Sequence, residues 1–262
     1  MKEGLTVIVP NFNKAAYLVR CIESIERQTY KPAAVIIVDD ASTDNSKEMI
    51  DRMTKAYPDL RAHYKPVNSG VSNTRNLGLS FVDTEYVTFI DADDYYTNSS
   101  KLALEMGLQK EKGGDIIAYS ITRFYTPDGK SRTKKKSRAY YLHGNVYSDL
   151  LITRKWDSIM RDYVVRTETL KNAGGYNEGR SLFEDYELLL KLARDHEFYC
   201  TGEFGTAYTE GAGLSAVDRN RQTEIQEEII RKELKNMDTK QQKSILRSRK
   251  ILSLKRKLRS IL

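Results

Sequence analysis

Along the first third of the chain, apolar residues come in short runs that each end at a polar or turn-forming residue. Leu5-Thr6-Val7-Ile8-Val9, closed by Pro10, predicts a buried strand over 5–9. Leu18, Cys21, Ile22 and Ile25 fall at helical spacing and predict a helix over 15–28. Val35-Ile36-Ile37-Val38 predicts a second buried strand that ends at Asp39-Asp40. Ser42, Thr43 and Asp44 supply capping chemistry for a helix over 42–57. A strand over 60–65, a helix over 72–81 and a strand over 86–90 ending at Asp91 complete the series. Such alternation predicts an α/β fold, a Rossmann-like and mostly parallel sheet with helices on both faces.

After Lys101 the pattern loosens. A helix over 101–112 and a strand over 116–125 precede a charged loop over 130–138, and short helices follow at 148–153 and 168–173. Phe183, Tyr186, Leu189, Leu190 and Ala193 recur at helical spacing and predict a helix over 183–195. The organisation is one domain in two halves, 1–98 and 99–217, with a helical tail over 218–262.

At 262 residues and 40% hydrophobic content the chain can build a full core. Its two cysteines, Cys21 and Cys200, are too few for a structural zinc site and too distant for a redox pair, so they read as buried reduced thiols. The first apolar run is too short for a secretory signal. No stretch approaches the roughly 20 apolar residues of a membrane span. The expected location is the cytoplasm.

Charge is unevenly placed. Residues 240–262 carry nine Lys/Arg and no acid; subtracting those nine from the net +7 leaves −2 on the rest. That contrast points to one localised basic anchor and away from a nucleic-acid-binding body. Ile251, Leu254, Leu258, Ile261 and Leu262 share a helical arc of about 100°, with Lys255, Arg256, Lys257 and Arg259 outside it. A basic helix with an apolar face fits a peripheral position on an anionic membrane surface. The same face also suits docking onto the body or pairing between subunits of a homo-oligomer.

Four polar constellations carry candidate chemistry. Asp91-Ala92-Asp93-Asp94, at a strand exit, offers hard oxygen ligands to Mn²⁺ or Mg²⁺; as turn residues the same acids need no metal. Asp39-Asp40, at the preceding strand end, can accept from a ring N–H or ribose hydroxyls, whereas Ser42, Thr43 and Asp44 beside them also read as simple caps. Asn68-Ser69-Gly70 turns into a helix that bears Arg75, which suits phosphate oxygens or an ordinary helix surface. Glu184-Asp185 opens a helix behind the Gly-rich stretch 174–179, read as mobile. A carboxylate there suits a general base, or merely favours the helix dipole.

Together, Val7-Ile8-Val9-Pro10-Asn11-Phe12-Asn13, Val38-Asp39-Asp40-Ala41-Ser42-Thr43-Asp44, Asn68 to Asn76, Asp91-Ala92-Asp93-Asp94, Gly174-Gly175-Tyr176 and Phe183-Glu184-Asp185 resemble a family 2 glycosyltransferase of GT-A fold over about residues 5–215. The resemblance implies sugar transfer with inversion from a nucleotide-diphosphate sugar, UDP-sugar favoured. It implies that Pro10, Asn11, Asn68, Gly70 and Ala92 line the nucleotide-sugar pocket. Asp40, with Asp39, would meet base and ribose, Arg75 would lie near the uridine or diphosphate, and Asp91 would face the ribose. Asp93 would bind Mn²⁺ or Mg²⁺, and Asp185 would be the base with Glu184 beside it. Relatives often carry a metal-binding His before a Leu-Ser pair; here Glu210 stands about there. Gly175 and the single tryptophan, Trp156, are candidates for acceptor binding, a glycan or lipid-linked molecule of cell-surface polysaccharide assembly. His63, His143 and His196 read as surface or packing residues.

Three other readings compete. A nucleotidyltransferase would carry a Gly-rich basic phosphate loop after the first strand, where Pro10-Asn11-Phe12-Asn13-Lys14 stands. A dinucleotide oxidoreductase would carry G-x-G-x-x-G. A non-catalytic membrane-binding protein needs only the tail. Nucleic acid in the main cleft is opposed by the acids at the strand ends.

Overall fold

The computed structural model describes residues 1–125, 130, 131, 133, 141–153, 159, 162–209 and 219–259. Its first half runs β1 (Lys2–Asn11), α1 (Ala15–Glu26), β2 (Ala34–Asp39), α2 (Ser46–Ala56), β3 (Leu60–Tyr64), α3 (Val71–Ser80) and β4 (Thr84–Phe89). Strands pair in the order β3-β2-β1-β4-β7, with β7 at Val165–Arg166. The first four are parallel, and β7 runs antiparallel to β4.

The unbroken apolar runs are explained by two covered faces. Leu5, Val7, Val9, Val35 and Ile37 pack with Leu18, Ile22 and Ile25 of α1 and Ile50 and Met53 of α2. Ile8, Ile36, Val38, Val87 and Phe89 point the other way, into a core shared with Leu79 of α3. Each such side chain fully buried contributes about 1.5–3 kcal/mol.

α2 starts later than its sequence suggests, after Asn45. Ser42 instead donates to Asp39. Asp44 accepts from the backbone N–H groups of Ala15 and Ser46, and so ties together the starts of α1 and α2.

A second sheet, ordered β5-β8-β6, comprises β5 (Tyr95–Tyr96), β6 (Ile117–Tyr125) and β8 (Phe198–Thr209). β8 was not legible in the sequence, because Gly202, Gly205 and scattered polar residues break its apolar pattern. Gly205 answers to packing: a Cβ there would sit 2.6 Å from Ser120 Cβ and 3.0 Å from Lys101 Cε.

Helices α4 (Lys101–Glu111), α5 (Tyr147–Ile152), α6 (Thr167–Asn172) and α7 (Glu184–Asp195) complete the body. Two helices follow, α8 (Arg219–Lys235) and α9 (Thr239–Arg259). They are tied to the body. Glu233 accepts from Arg194 of α7 and Tyr147 of α5, and Ile245 is buried. Arg249 donates to Leu151 O and Glu227. Among the described residues, no helix is long and apolar enough to cross a membrane.

α3 lies hard against β1, since a Cβ on Gly78 would fall 2.6 Å from Ile8 Cγ2. Gly78→Ala is therefore expected to cost about 1–3 kcal/mol through overpacking, as a lower urea midpoint with an unchanged m-value.

Candidate active site

β1 lies between β2 and β4, and the chain passes outward through β2 and β3 before it returns to β4. The carboxyl ends of β1 and β4 thus flank a topological switch point, where open parallel sheets bind ligands. Asn11 closes β1, Asp39 closes β2 with Asp40 next to it, and Asp91 follows β4.

The ends of β1 and β2 form one hydrogen-bonded unit. Asp39 Oδ2 accepts from Asn11 Nδ2 and Ser42 Oγ, both at 2.7 Å. Asn11 Oδ1 is buried and has no hydrogen-bond partner. Pro10 is buried beside Asn11, its Cα paired with that of Val38. Asp40, 3% exposed, accepts from the backbone N–H groups of Ser69 and Gly70 and pairs with Lys65 at 2.6 Å. It therefore fixes the loop leading into α3; Asn68, one residue earlier in that loop, is exposed.

Beyond β4, the carboxylates of Asp91, Asp93 and Asp94 lie within 4.8 Å of one another. Three hard anionic oxygens at that separation fit a divalent cation such as Mn²⁺ or Mg²⁺. Lys14 Nζ pairs with Asp93 at 2.7 Å, and Arg20 donates to the Asp93 carbonyl. Ala92 is buried in the core behind them. Burial pushes the Cys21 thiol well up, and the charges of Asp94, Asp91 and Asp93 raise it further. Cys21 is thus a packing thiol beneath the acids, with no nucleophilic character.

Arg75 joins the two halves. At 2% exposed, it donates to Asp91 at 2.9 Å and to Glu184 at 2.8 Å, with its guanidinium 5.0 Å from the Tyr176 ring. Its charge is engaged between the acid triad and the start of α7. Glu184 and Asp185 are separated by the same contact: Glu184 is buried on Arg75, whereas Asp185 is half-buried in the first turn of α7.

The stretch 174–180, read from its glycines as mobile, is pinned. Asn76 exchanges hydrogen bonds with the Tyr176 backbone and also holds Glu178. Arg180 pairs with Glu187 of α7 at 2.6 Å. Gly175, at φ 62°, is buried where a Cβ would lie 2.6 Å from Asn76 Oδ1.

Among the described residues, Asn13, Ala41 and Phe183 are the non-glycine residues at positive φ. Each sits in one of the motifs above, and each costs on the order of 1–3 kcal/mol. Trp156, Glu210 and most of 130–138 lie outside the described residues. The sequence reading missed Lys14, Lys65 and Asn76 as site partners. The two lysines stand within three residues of quoted motifs, which is a usable signal. Asn76 closes a motif, but nothing local tells that it reaches residue 176.

Arg75→Met is expected to destabilise the fold by about 3–5 kcal/mol, because it leaves Asp91 and Glu184 without their shared cation. Urea unfolding checks this, and the loss should exceed that of Lys14→Met at the more exposed Asp93 pair.

Residues 6–169 match the profile of Glycosyl transferase family 2. Glycosyltransferase GlyG of Streptococcus pneumoniae is 34% identical over 129 residues, which are 49% of this chain and 42% of GlyG. The teichoic acid poly(glycerol phosphate) polymerase of Staphylococcus epidermidis is 30% identical over 193 residues, 72% of this chain and 26% of that protein. The chain thus matches less than half the length of either relative. Structures of S. aureus TarS residues 1–349, in complex with UDP and with UDP-GlcNAc, superpose with a TM-score of 0.73 at 21% identity, covering 94% of this chain and 70% of theirs. The fold is therefore GT-A, and the chain belongs to glycosyl transferase family 2.

Proposed function

We propose that this chain is an inverting, metal-dependent glycosyltransferase that moves a sugar from a UDP-sugar to a hydroxyl of a glycan or lipid-linked acceptor. The observation that carries the reading is Arg75, which holds Asp91 of the acid triad and Glu184 of α7 on one guanidinium. Donor-side acids and a base-bearing helix therefore meet in one crevice.

Asp185 takes the proton of the acceptor hydroxyl as its oxygen attacks the anomeric carbon. The nucleoside diphosphate leaves from the opposite face, so one displacement inverts the centre. Glu184 keeps Arg75 in place and fixes the first turn of α7. Asp91 faces the ribose, and Asp93, with Asp91 and Asp94, would hold the cation. Bound Mn²⁺ or Mg²⁺ supplies charge neutralisation for the leaving diphosphate. Asn11 Oδ1, a buried acceptor without a partner, suits a nucleobase N–H once the pocket opens; Asp39 and Asp40 shape that pocket. Trp156 in the acceptor site and Glu210 at the metal rest on the sequence alone. The complexes of TarS with UDP and UDP-GlcNAc support the choice of donor. The teichoic acid polymerase supports a role in surface polymers.

α9 suits the inner face of an anionic membrane. Its docked side carries Ile245 and Arg249, while Lys240, Lys243, Leu246, Arg247, Lys250, Ile251 and Leu254 are exposed on an arc of about 140°. Basic and apolar side chains alternate there, which fits lipid headgroups and rejects a second copy of the same positive face.

Two measurements test these readings. Nucleoside diphosphate release from UDP-, GDP- and TDP-sugars should require Mn²⁺ or Mg²⁺, and Asp185→Asn should lower turnover at least 100-fold with donor affinity intact. Loss of donor binding in Asp185→Asn would remove it from the base role. The full chain should co-sediment with phosphatidylglycerol vesicles and a chain ending at Thr239 should not; equal binding would dismiss the anchor.

A further inference from the structure

Beside the acid triad lies a narrow cleft with room for about one water, lined by Ile90, Asp91, Asp94, Thr122, Asp162, Thr206 and Tyr208. One wall is the nucleotide and metal edge of the first sheet. The other comes from β6, β8 and the segment entering β7, which the mechanism above does not use.

That second wall carries a carboxylate held at considerable structural expense. Asp162 is 4% exposed. Its Oδ2 accepts from Thr206 and lies 3.6 Å from Lys101 Nζ. Lys101, fully buried, also donates to the Asp162 carbonyl at 2.6 Å and to Glu105 at 2.8 Å. Burial pushes Glu105 up to about 7. Gly205 leaves room for the lysine stem, as its Cβ would meet Lys101 Cδ and Cε at 3.1 and 3.0 Å. Thr122 Oγ1 is buried without a partner, on a residue that lines the same cleft.

Asp162 and Glu105 share the one buried Lys101 cation, an arrangement that is costly to desolvate. Asp162 lines that cleft together with Asp91 and Asp94 of the acid triad. That room admits one hydroxyl, and the polar atoms around it are those that read hydroxyls.

We propose that Asp162, with Thr122, determines donor-sugar specificity by hydrogen-bonding a hydroxyl of the transferred sugar beside the acid triad. The inference rests on the glycosyl-transfer reading and adds the residues that choose the sugar. A pocket built to bond a hydroxyl rejects the analogue lacking it far more strongly than an apolar pocket rejects a methylene. Asp162 is a specificity residue; it takes no proton from the acceptor.

The test compares wild type, Asp162→Asn and Thr122→Val with UDP alone and with UDP-glucose, UDP-galactose and UDP-N-acetylglucosamine, in the presence of Mn²⁺. Calorimetry gives affinity, and kcat/KM gives the ratio between epimeric donors. UDP affinity should stay within about twofold in both variants, which also reports an intact fold. The preference between epimers should fall about tenfold or more in Asp162→Asn, and in the same direction in Thr122→Val. Unchanged epimer ratios in both variants would overturn the proposal. So would an equal loss of UDP and UDP-sugar binding in both, or a wild type indifferent to the epimer. Failure of the wild type to bind any nucleotide would remove the transferase reading itself, a result separable from every loss confined to the sugar.

Discussion

The buried Arg75 guanidinium is the contact on which the rest of the site depends. It lies on α3, yet its two ionic partners follow β4 and open α7. An unpaired cation there would cost several kcal/mol, and so would either carboxylate alone. The three charges are therefore stable only together. Their mutual need sets the distance between the end of β4 and the helix that bears Asp185.

The surrounding loops serve that arrangement by similar means. Asp40 holds the approach to α3 through two backbone N–H groups and Lys65. Asn76 holds the approach to α7 through residues 176 and 178. Both tie a turn to a position far away in sequence. Positive φ at Asn13, Ala41 and Phe183 adds a local cost within these motifs, which the packed elements around them offset.

The basic α9 belongs to the same body. Arg249 bonds α5 through the Leu151 carbonyl, and Tyr186, next to Asp185, bonds α5 through the Leu150 carbonyl. A surface that docks on α9 is thus two hydrogen bonds from α7, the helix that carries Glu184 and Asp185.

By itself the sequence determined the alternating strands and helices of the first half, because continuous apolar runs and helical spacing are local patterns. It also marked Asp39, Asp91, Asp93 and Asp185, because carboxylates at strand and helix ends can be recognised where they stand. Only the tertiary structure decided their partners. β8 escaped notice in part because Gly205 answers to Lys101 and Ser120, which lie far earlier in the chain. Arg75 clamps Asp91 and Glu184, the latter 109 residues away, and that contact parts Glu184 from Asp185. Asp162 has no motif around it, and it gains meaning only from a buried lysine and a cleft. Charge pairing across such separations depends on burial and distance, which no local pattern encodes.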